Sequence, residues 1–192
     1  LERWKQSALI LRMESPPSKS WLQPLIDEAF HRTSLTKGNG ALRLNWSRGD
    51  NHSRGINIQK EASYRFWLEL NAGDPHFNSI STLISRYEKR NAFSQLNQCK
   101  TFAYGQSIQA KHEAKLAGFD DALLLSTNGE MCCGTTANLI VNRDNQWITP
   151  HLKSGCLPGV MRKEGLEAGV IKEAKISSKP IEGDKWLLIN SL

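Results

Sequence analysis

The pattern of apolar and polar positions divides the chain into helix-like and strand-like segments. Two helices are predicted first, with apolar residues at helical spacing on either side of the Pro16-Pro17 break. The segments 41–46 and 64–70 then alternate apolar and polar residues, as half-buried strands of one sheet do. The second helix is expected to start at a Ser20 cap and to bury one side, formed by Leu22, Leu25, Ile26 and Ala29.

The second half of the chain reads as a larger mixed sheet with two more helices. No period is clear from residue 73 to about residue 91, and we interpret this stretch as the connection between two halves. Small apolar residues predict a helix over 104–118 that packs closely on a sheet, and Asn128-Gly129 predicts a hairpin turn after the apolar run 122–125. Further elements are predicted at 139–141, 147–149, 159–168, 174–176 and 186–189. We therefore expect a small α/β domain over 1–90 and a larger domain over 91–192.

Composition and charge describe a globular protein that acts on small molecules. Hydrophobic residues make up 39% of the chain, and no apolar run approaches the roughly 20 residues of a membrane span. With no signal peptide visible, the cytoplasm is the expected location and no membrane partner is expected. The net charge of +6 is spread among acidic residues without an aromatic-basic platform, which favours a small anionic substrate over nucleic acid. The four cysteines lack paired C-x-x-C spacing, so we expect neither a disulfide framework nor a zinc or other metal site.

Three features could carry chemistry, and each has a plainer interpretation. The small residues 132–137 suggest a backbone that approaches something bulky and flat, or else a tight turn in a β core. The helix beginning at Gly159 offers unpaired N–H groups to an anion, as every helix start does. Lys100 has uncharged neighbours, and burial would favour the neutral amine that imine formation needs; otherwise it is an ordinary surface lysine. Arg48 and Arg54 flank glycines in the loop 47–55 and could hold a carboxylate, or could be solvated.

A set of motifs in fixed order resembles the class IV aminotransferase family, whose members are pyridoxal-phosphate enzymes of fold type IV. The motifs are Lys100, the segment 113–125, Asn128-Gly129, the segment 136–139, Thr149-Pro150 and the segment 155–162. The first seven residues resemble the helix that follows the family's opening strands, and Ser47-Arg-Gly with Arg54-Gly resembles its first-domain loop. The resemblance implies a two-domain α/β (α+β) fold like that of D-amino acid aminotransferase, here without the first strands and their phosphate-binding arginine. It also implies a homodimer with pyridoxal 5'-phosphate held between the domains.

The resemblance assigns roles by position. Lys100 matches the lysine that forms an imine with the cofactor and moves the substrate proton, and Tyr104 lies near a position that touches the cofactor's phenolic oxygen in some members. A phosphate cup is implied at Gly159, Val160 and Met161, with a further hydroxyl from Ser191. Substrate carboxylates are assigned to Arg43, Arg48 and Arg54, which implies a small anionic substrate that resembles an amino acid.

One position departs from the family pattern. Five residues before Asn138, where the family has a glutamate that pairs with the pyridine nitrogen, this chain has Cys133. Glu130 is three residues away and should point to the opposite face of the strand. The cofactor would then be a weaker electron sink, which favours elimination over transamination. Met161 and the paired Arg-Gly motifs also resemble the lyases of the family, while an aminotransferase for branched-chain or D-amino acids and a non-catalytic ligand-binding homologue stay open.

Overall fold

The computed structural model describes residues 1–33, 35, 39–50, 54–58 and 62–191. Within these residues the α-helices are α1 (Glu2–Ile10), α2 (Lys19–Thr33), α3 (Gly105–Leu116) and α4 (Val160–Glu167). The strands there are β1 (Gly40–Ser47), β2 (Arg65–Ala72), β3 (Thr82–Arg90), β4 (Asp121–Ser126), β5 (Met131–Gly134), β6 (Asn138–Arg143), β7 (Gln146–Pro150), β8 (Lys172–Ala174) and β9 (Lys185–Ile189). Short 3₁₀ helices occupy Gln95–Gln98 and Leu152–Ser154.

Two compact units make up the chain. The first is formed by Arg12–Phe77, and the second joins Glu2–Leu11 to Asn78–Ser191. The prediction that 73–91 is irregular was wrong, because β3 lies there and pairs in parallel with β4. The predicted domain boundary at residues 90 and 91 therefore falls one strand later than this division. Helix α1 is part of the second unit, so the first unit is an insertion in the second.

The first unit is built on the antiparallel hairpin β1–β2, which confirms the two strands predicted from alternation. At the end of this hairpin the Trp46 and Tyr64 rings stack with their centroids 5.0 Å apart. The Trp46 indole N–H donates to the Glu14 carbonyl at 3.2 Å, and the Glu14 N–H donates to the Tyr64 hydroxyl at 2.9 Å. These contacts fix the segment that follows α1 against the hairpin.

Helix α2 packs on this hairpin with a narrower apolar face than the sequence predicted. Leu22 is buried, whereas Leu25 is 38% exposed and does not belong to the buried side. The cap is Ser18 and not Ser20, since the Ser18 hydroxyl accepts a hydrogen bond from the Trp21 N–H at 3.3 Å. The Trp21 ring meets the Phe66 ring of β2 edge to face, with centroids 5.2 Å apart.

The second unit is a mixed sheet with strand order β3-β4-β5-β6-β7-β8, in which β9 also pairs with β6. The pairs β3–β4 and β7–β8 are parallel, and the other pairs are antiparallel. The hairpin predicted at Asn128-Gly129 is confirmed, because β4 and β5 meet there in antiparallel register with Gly129 at φ 80°. Strand β8 begins two residues earlier than predicted.

Helix α3 covers the sheet through small side chains. Ala110 and Ala114 are completely buried against Ala122 and Leu124 of β4, as the spacing predicted, while Ala117 lies in the exposed helix end. Because alanine adds little bulk, the helix axis can lie close to the sheet, which sets the position of the residues at its start. Those residues include Tyr104, which directly precedes the helix.

Candidate active site

Lys100 lies on the short segment between a 3₁₀ helix and α3. Its neighbour Cys99 is buried, but Lys100 itself is exposed, so the burial expected from its uncharged neighbours is not observed. Its backbone N–H donates to the Ser7 hydroxyl of α1 at 3.3 Å. Its ammonium lies over the Tyr104 ring, 5.1 Å from the centroid, in a cation–π contact. The structure therefore brings Lys100 and Tyr104 together on an anchored backbone.

Helix α1 connects Lys100 to the beginning of α4. The Ser7 carbonyl accepts a weak hydrogen bond from the Cys99 thiol at 3.9 Å, next to the Lys100 contact. At the other end of α1, the Glu2 carboxylate pairs with the Lys163 ammonium of α4 at 3.3 Å. Helix α1 thus contacts two segments that contain predicted site residues.

Arg3 is a candidate site residue that the sequence analysis missed. Burial lowers the pKa of its guanidinium, and the charge of Tyr104 opposes that shift. Among the described residues no carboxylate forms an ion pair with Arg3. A half-buried cation beside Tyr104 is suited to an anion. The sequence signal was the helical spacing of Arg3 and Ser7, four residues apart on the same side of α1.

Asn138 brings a second group of predicted residues to one corner of the sheet. It pairs in register with Cys133 of β5 and with Ile189 of β9, two residues before Ser191. Its side-chain amide donates to the Leu157 carbonyl at 2.8 Å, just before α4 begins. Asn138 therefore contacts Cys133, the strand that leads to Ser191 and the segment before α4.

Gly159, which directly precedes α4, leaves no room for a side chain in this arrangement. A Cβ atom on Gly159 would lie 2.0 Å from the Asn138 side-chain oxygen, far inside van der Waals contact. The next two side chains, Val160 and Met161, are 41% and 47% exposed. The first-turn N–H groups of α4 have no acceptors within the helix, and its dipole adds positive potential. This turn has the properties of an anion site.

Cys133 is buried in a cluster of thiols. Its pKa is lowered by a hydrogen bond from Cys132 and by the nearby charge of Arg90, while burial opposes the shift. The same contact raises the pKa of Cys132. Cys156 follows the pattern of Cys133, because its contact with Cys132 and the charge of Arg162 lower its pKa to about 7. All four cysteines, including Cys99, are free thiols.

The two arginines beside these thiols are incompletely hydrogen-bonded. Arg162 is buried, pairs with Glu173 and donates to the Pro150 carbonyl at 2.8 Å, but its Nε atom has no acceptor among the described residues. The Nε atom of Arg90 is also buried, and it has no hydrogen-bond partner among the residues that the structure describes. The charge of Arg90 favours the ionised form of Cys133, and the charge of Arg162 favours that of Cys156.

Glu130 interacts with Lys175 and Ser177. Its carboxylate pairs with the Lys175 ammonium at 3.0 Å, and its backbone bridges to Ser177. Cys133 thus has no carboxylate supplied by Glu130.

The three predicted substrate arginines belong to the first unit. Arg43 is exposed on β1, where its register partner is Glu69 of β2. Arg48 is half-buried and donates to the Arg12 carbonyl at 3.2 Å, while Arg54 is exposed. Residues 51–53 of their predicted loop lie outside the described residues. The assignment of these arginines to substrate stays a prediction.

The family profile described as amino-transferase class IV matches residues 1–192. This chain belongs to that family. Class IV aminotransferases depend on pyridoxal 5'-phosphate, and one solved structure of this fold is in its pyridoxal-phosphate form. The fold type IV architecture expected from the motifs is confirmed.

Individual relatives point to two activities. A Schizosaccharomyces pombe protein assigned as an aminodeoxychorismate lyase is 29% identical over 178 residues, which cover 90% of this chain and 68% of the relative. A Rickettsia typhi protein assigned as a branched-chain-amino-acid aminotransferase is 34% identical over 109 residues, covering 54% of this chain and only 38% of the relative. A solved Legionella pneumophila structure assigned as a 4-amino-4-deoxychorismate lyase is 26% identical with a TM-score of 0.85, covering all of this chain and 72% of that one.

The residues present fit the cofactor of this family at two of three places. An amine on an anchored backbone is available at Lys100, and the glycine-dependent start of α4 offers N–H groups to the phosphate. Arg3 adds a cation near Tyr104. The fit differs at Cys133, the position predicted to face the pyridine nitrogen, where the structure has a buried thiol beside Arg90. In the part of the chain that the structure describes, no helix is long and apolar enough to cross a membrane.

Proposed function

We propose that this chain is a pyridoxal-phosphate-dependent lyase that eliminates pyruvate from aminodeoxychorismate to give 4-aminobenzoate, a precursor of folate. The observation that carries the proposal is Cys133, buried beside Arg90 at the corner organised by Asn138. The relative in Schizosaccharomyces pombe supports it, because that match extends over 90% of the chain. The chain covers 68% of that relative, and the activity is proposed for the protein as a whole.

The physical argument concerns charge at Cys133. When bound, the cofactor supplies an electron sink for carbanion chemistry next to the amino group of a substrate. An unpaired carboxylate at this corner would strengthen that sink by keeping the pyridine nitrogen protonated. A thiolate that faces Arg90 is largely neutralised, and a neutral thiol carries no charge at all. With either form of Cys133, the cofactor would be a weaker electron sink than beside a carboxylate. Elimination tolerates a weaker sink because the leaving group disperses the negative charge of the carbanion.

The other residues take roles that follow from their positions. Lys100 would hold the cofactor through its Nζ atom and then carry the proton that leaves and returns during elimination. The first turn of α4 would hold the phosphate, with Ser191 and Arg3 as further ligands. Arg43, Arg48 or Arg54 would bind the carboxylates of the substrate.

A pyruvate-release assay tests this proposal. Protein loaded with pyridoxal phosphate is given aminodeoxychorismate, and pyruvate and 4-aminobenzoate are measured together. We expect equal amounts of both products, a loss of activity in Lys100→Ala, and normal activity in Lys179→Ala, which changes an exposed lysine outside the site. Intact cofactor binding without any pyruvate would reject the lyase.

An aminotransferase is the second candidate, since the Rickettsia typhi relative favours it. Branched-chain or D-amino acids would then convert the bound cofactor to its pyridoxamine form, which absorbance detects. We expect little conversion in the native protein and more in Cys133→Glu, which restores a carboxylate. Rapid conversion in the native protein would favour the aminotransferase instead.

A non-catalytic homologue that binds a ligand is the third candidate. Borohydride reduction followed by mass mapping distinguishes it, because an enzyme of this family should carry the cofactor on Lys100 alone. Labelling of several lysines at random, or of none, would support the non-catalytic interpretation.

A further inference from the structure

A cleft of about 450 Å³ runs along α3, with apolar surface that includes Ile108 and several polar groups at its edges. Ser107, Lys111 and Lys115 contribute one wall, and Thr135 and Thr136, from the turn after β5, contribute the other. Tyr104 lines one end of the cleft. The spacing of 104, 107, 111 and 115 places these residues on one stripe of the helix, so the cleft follows from the sequence period.

The cleft carries positive charge that the described residues only partly neutralise. Lys111 pairs with the buried Asp121 carboxylate at 3.3 Å, and the same carboxylate accepts a hydrogen bond from the Thr135 hydroxyl at 2.6 Å. Lys115 lies one turn further along and forms no ion pair within the described residues. Two lysines at this spacing repel each other, so an anion between them would relieve that repulsion.

The cleft contains both side chains that are held by contacts and exposed side chains that can change rotamer. Asp121 holds Lys111 and Thr135 in place across the cleft, because its side chain is only 8% exposed and contacts both. Lys115 and Thr136 are exposed and can turn toward a ligand. Ser107 is buried and also lines the cleft. Ammonium and hydroxyl donors that face one space are the groups that bind an oxyanion.

We propose that this cleft binds a small molecule through a phosphate or carboxylate group, held by Lys111, Lys115 and Thr136. The cleft shares Tyr104 with the candidate active site, but its other lining residues belong neither to α4 nor to Asn138, so its anion position differs from the start of α4. The proposal does not depend on which reaction the protein catalyses. Screening by salt is expected, since the lysines are exposed.

An NMR titration tests the site with defined probes. Inorganic phosphate and succinate are added separately to ¹⁵N-labelled protein at low ionic strength, with sodium chloride of equal ionic strength as the reference. We expect amide shifts over 107–115 and 135–136, and the stronger probe identifies which oxyanion the cleft prefers. Each titration is repeated after loading with pyridoxal phosphate, which occupies the α4 site if the proposed function is correct.

Matched variants decide the outcome. Lys115→Gln is expected to weaken binding roughly fivefold, the upper range for one exposed charge, and Thr136→Val should also weaken it. Lys179→Gln removes the same charge from an exposed position outside the cleft and should leave binding unchanged. Equal effects of the two lysine changes, or shifts no larger than those caused by sodium chloride, would overturn the proposal. Failure of cofactor loading would bear on the proposed function and not on this site.

Discussion

At the scale of single residues, the corner of the larger sheet depends on Asn138. Its backbone joins β6 to β5 and β9, while its side chain fixes the turn before α4. One short amide side chain can do this only because Gly159 leaves room for it. The position of the α4 N–H groups is thus set by a pair of residues 21 positions apart, and neither one carries a charge.

Replacing Gly159 with alanine should damage this corner. The added methyl group would meet the Asn138 oxygen at 2.0 Å and break the Asn138–Leu157 hydrogen bond. We expect a loss of about 1–3 kcal/mol in the free energy of unfolding and weaker binding of pyridoxal phosphate. Denaturant unfolding and cofactor titration measure the two effects.

Gly73→Ala is the matched control, because a Cβ atom at Gly73 meets nothing within 4 Å and the residue has no positive φ. Equal stability and equal cofactor affinity in the two variants would show that the close approach of Gly159 to Asn138 has no consequence.

At the scale of secondary-structure elements, an ion pair ties the β6–β7 hairpin to the loop before β9. The Arg143 guanidinium contacts both Asp184 carboxylate oxygens, at 3.0 and 2.6 Å. The Asp184 side chain is only 2% exposed, so the pair is shielded from solvent on that side. Asp184 directly precedes β9, and the antiparallel pairing of β9 with β6 begins at the next residue.

Asp184 should make stability depend on acid pH. The hydrogen bond and the charge from Arg143 lower the pKa of Asp184 in the folded state. Its stabilising effect is therefore complete above the unfolded pKa of about 3.9 and is lost as pH falls through the lower folded value. We expect Asp184→Asn to lose about 2 kcal/mol at pH 7 and progressively less below about pH 4.

Glu182→Gln serves as control for the removal of an exposed carboxylate two residues away. Urea unfolding at a series of pH values measures both variants. A constant difference between Asp184→Asn and the native protein at every pH would contradict the role of this ion pair.

At the scale of the whole molecule, the chain has two units, and one interrupts the other. If Lys100, α1 and the start of α4 form one site, the cofactor should stabilise segments that are distant in sequence. A ligand at 100 times its Kd adds about 2.7 kcal/mol to the stability of the state that binds it.

Hydrogen exchange can detect this effect. We expect pyridoxal phosphate to slow exchange in 2–11, 99–108 and 157–163 more than in β8, which lies at the far edge of the sheet. Lys100→Ala should remove the difference. Protection confined to one of the three segments would mean that α1 does not connect them.

Local patterns predicted most elements of this molecule. Alternation gave β1 and β2, Asn128-Gly129 gave the β4–β5 turn, and alanine spacing gave the buried face of α3. Strand β3 was missed because its polar residues obscure the alternation of apolar and polar positions. Its pairing with β4 is also irregular, with a register shift between Ile84 and Lys89. Such a strand is recognisable only from its partner.

The site was only partly predictable for the same reason. Motif positions named Lys100 and the start of α4, but the importance of Arg3, Ser7 and Asn138 comes from contacts across the fold. Ser7 is 93 residues from Lys100, a separation at which sequence spacing carries no information. The exposure of Lys100 also could not be deduced from its neighbours, since Cys99 is buried beside it.

The interrupted arrangement of the second unit has a consequence during synthesis. Ser7 leaves the ribosome 93 residues before Lys100, a delay of roughly 5–20 seconds at ordinary translation rates. A helix as short as α1 is not stable alone in water. The nascent segment therefore lacks its contact with Lys100 while the whole first unit is translated. The contact that anchors Lys100 is therefore formed late, and a nascent chain stalled before Lys100 should leave residues 2–11 open to proteases.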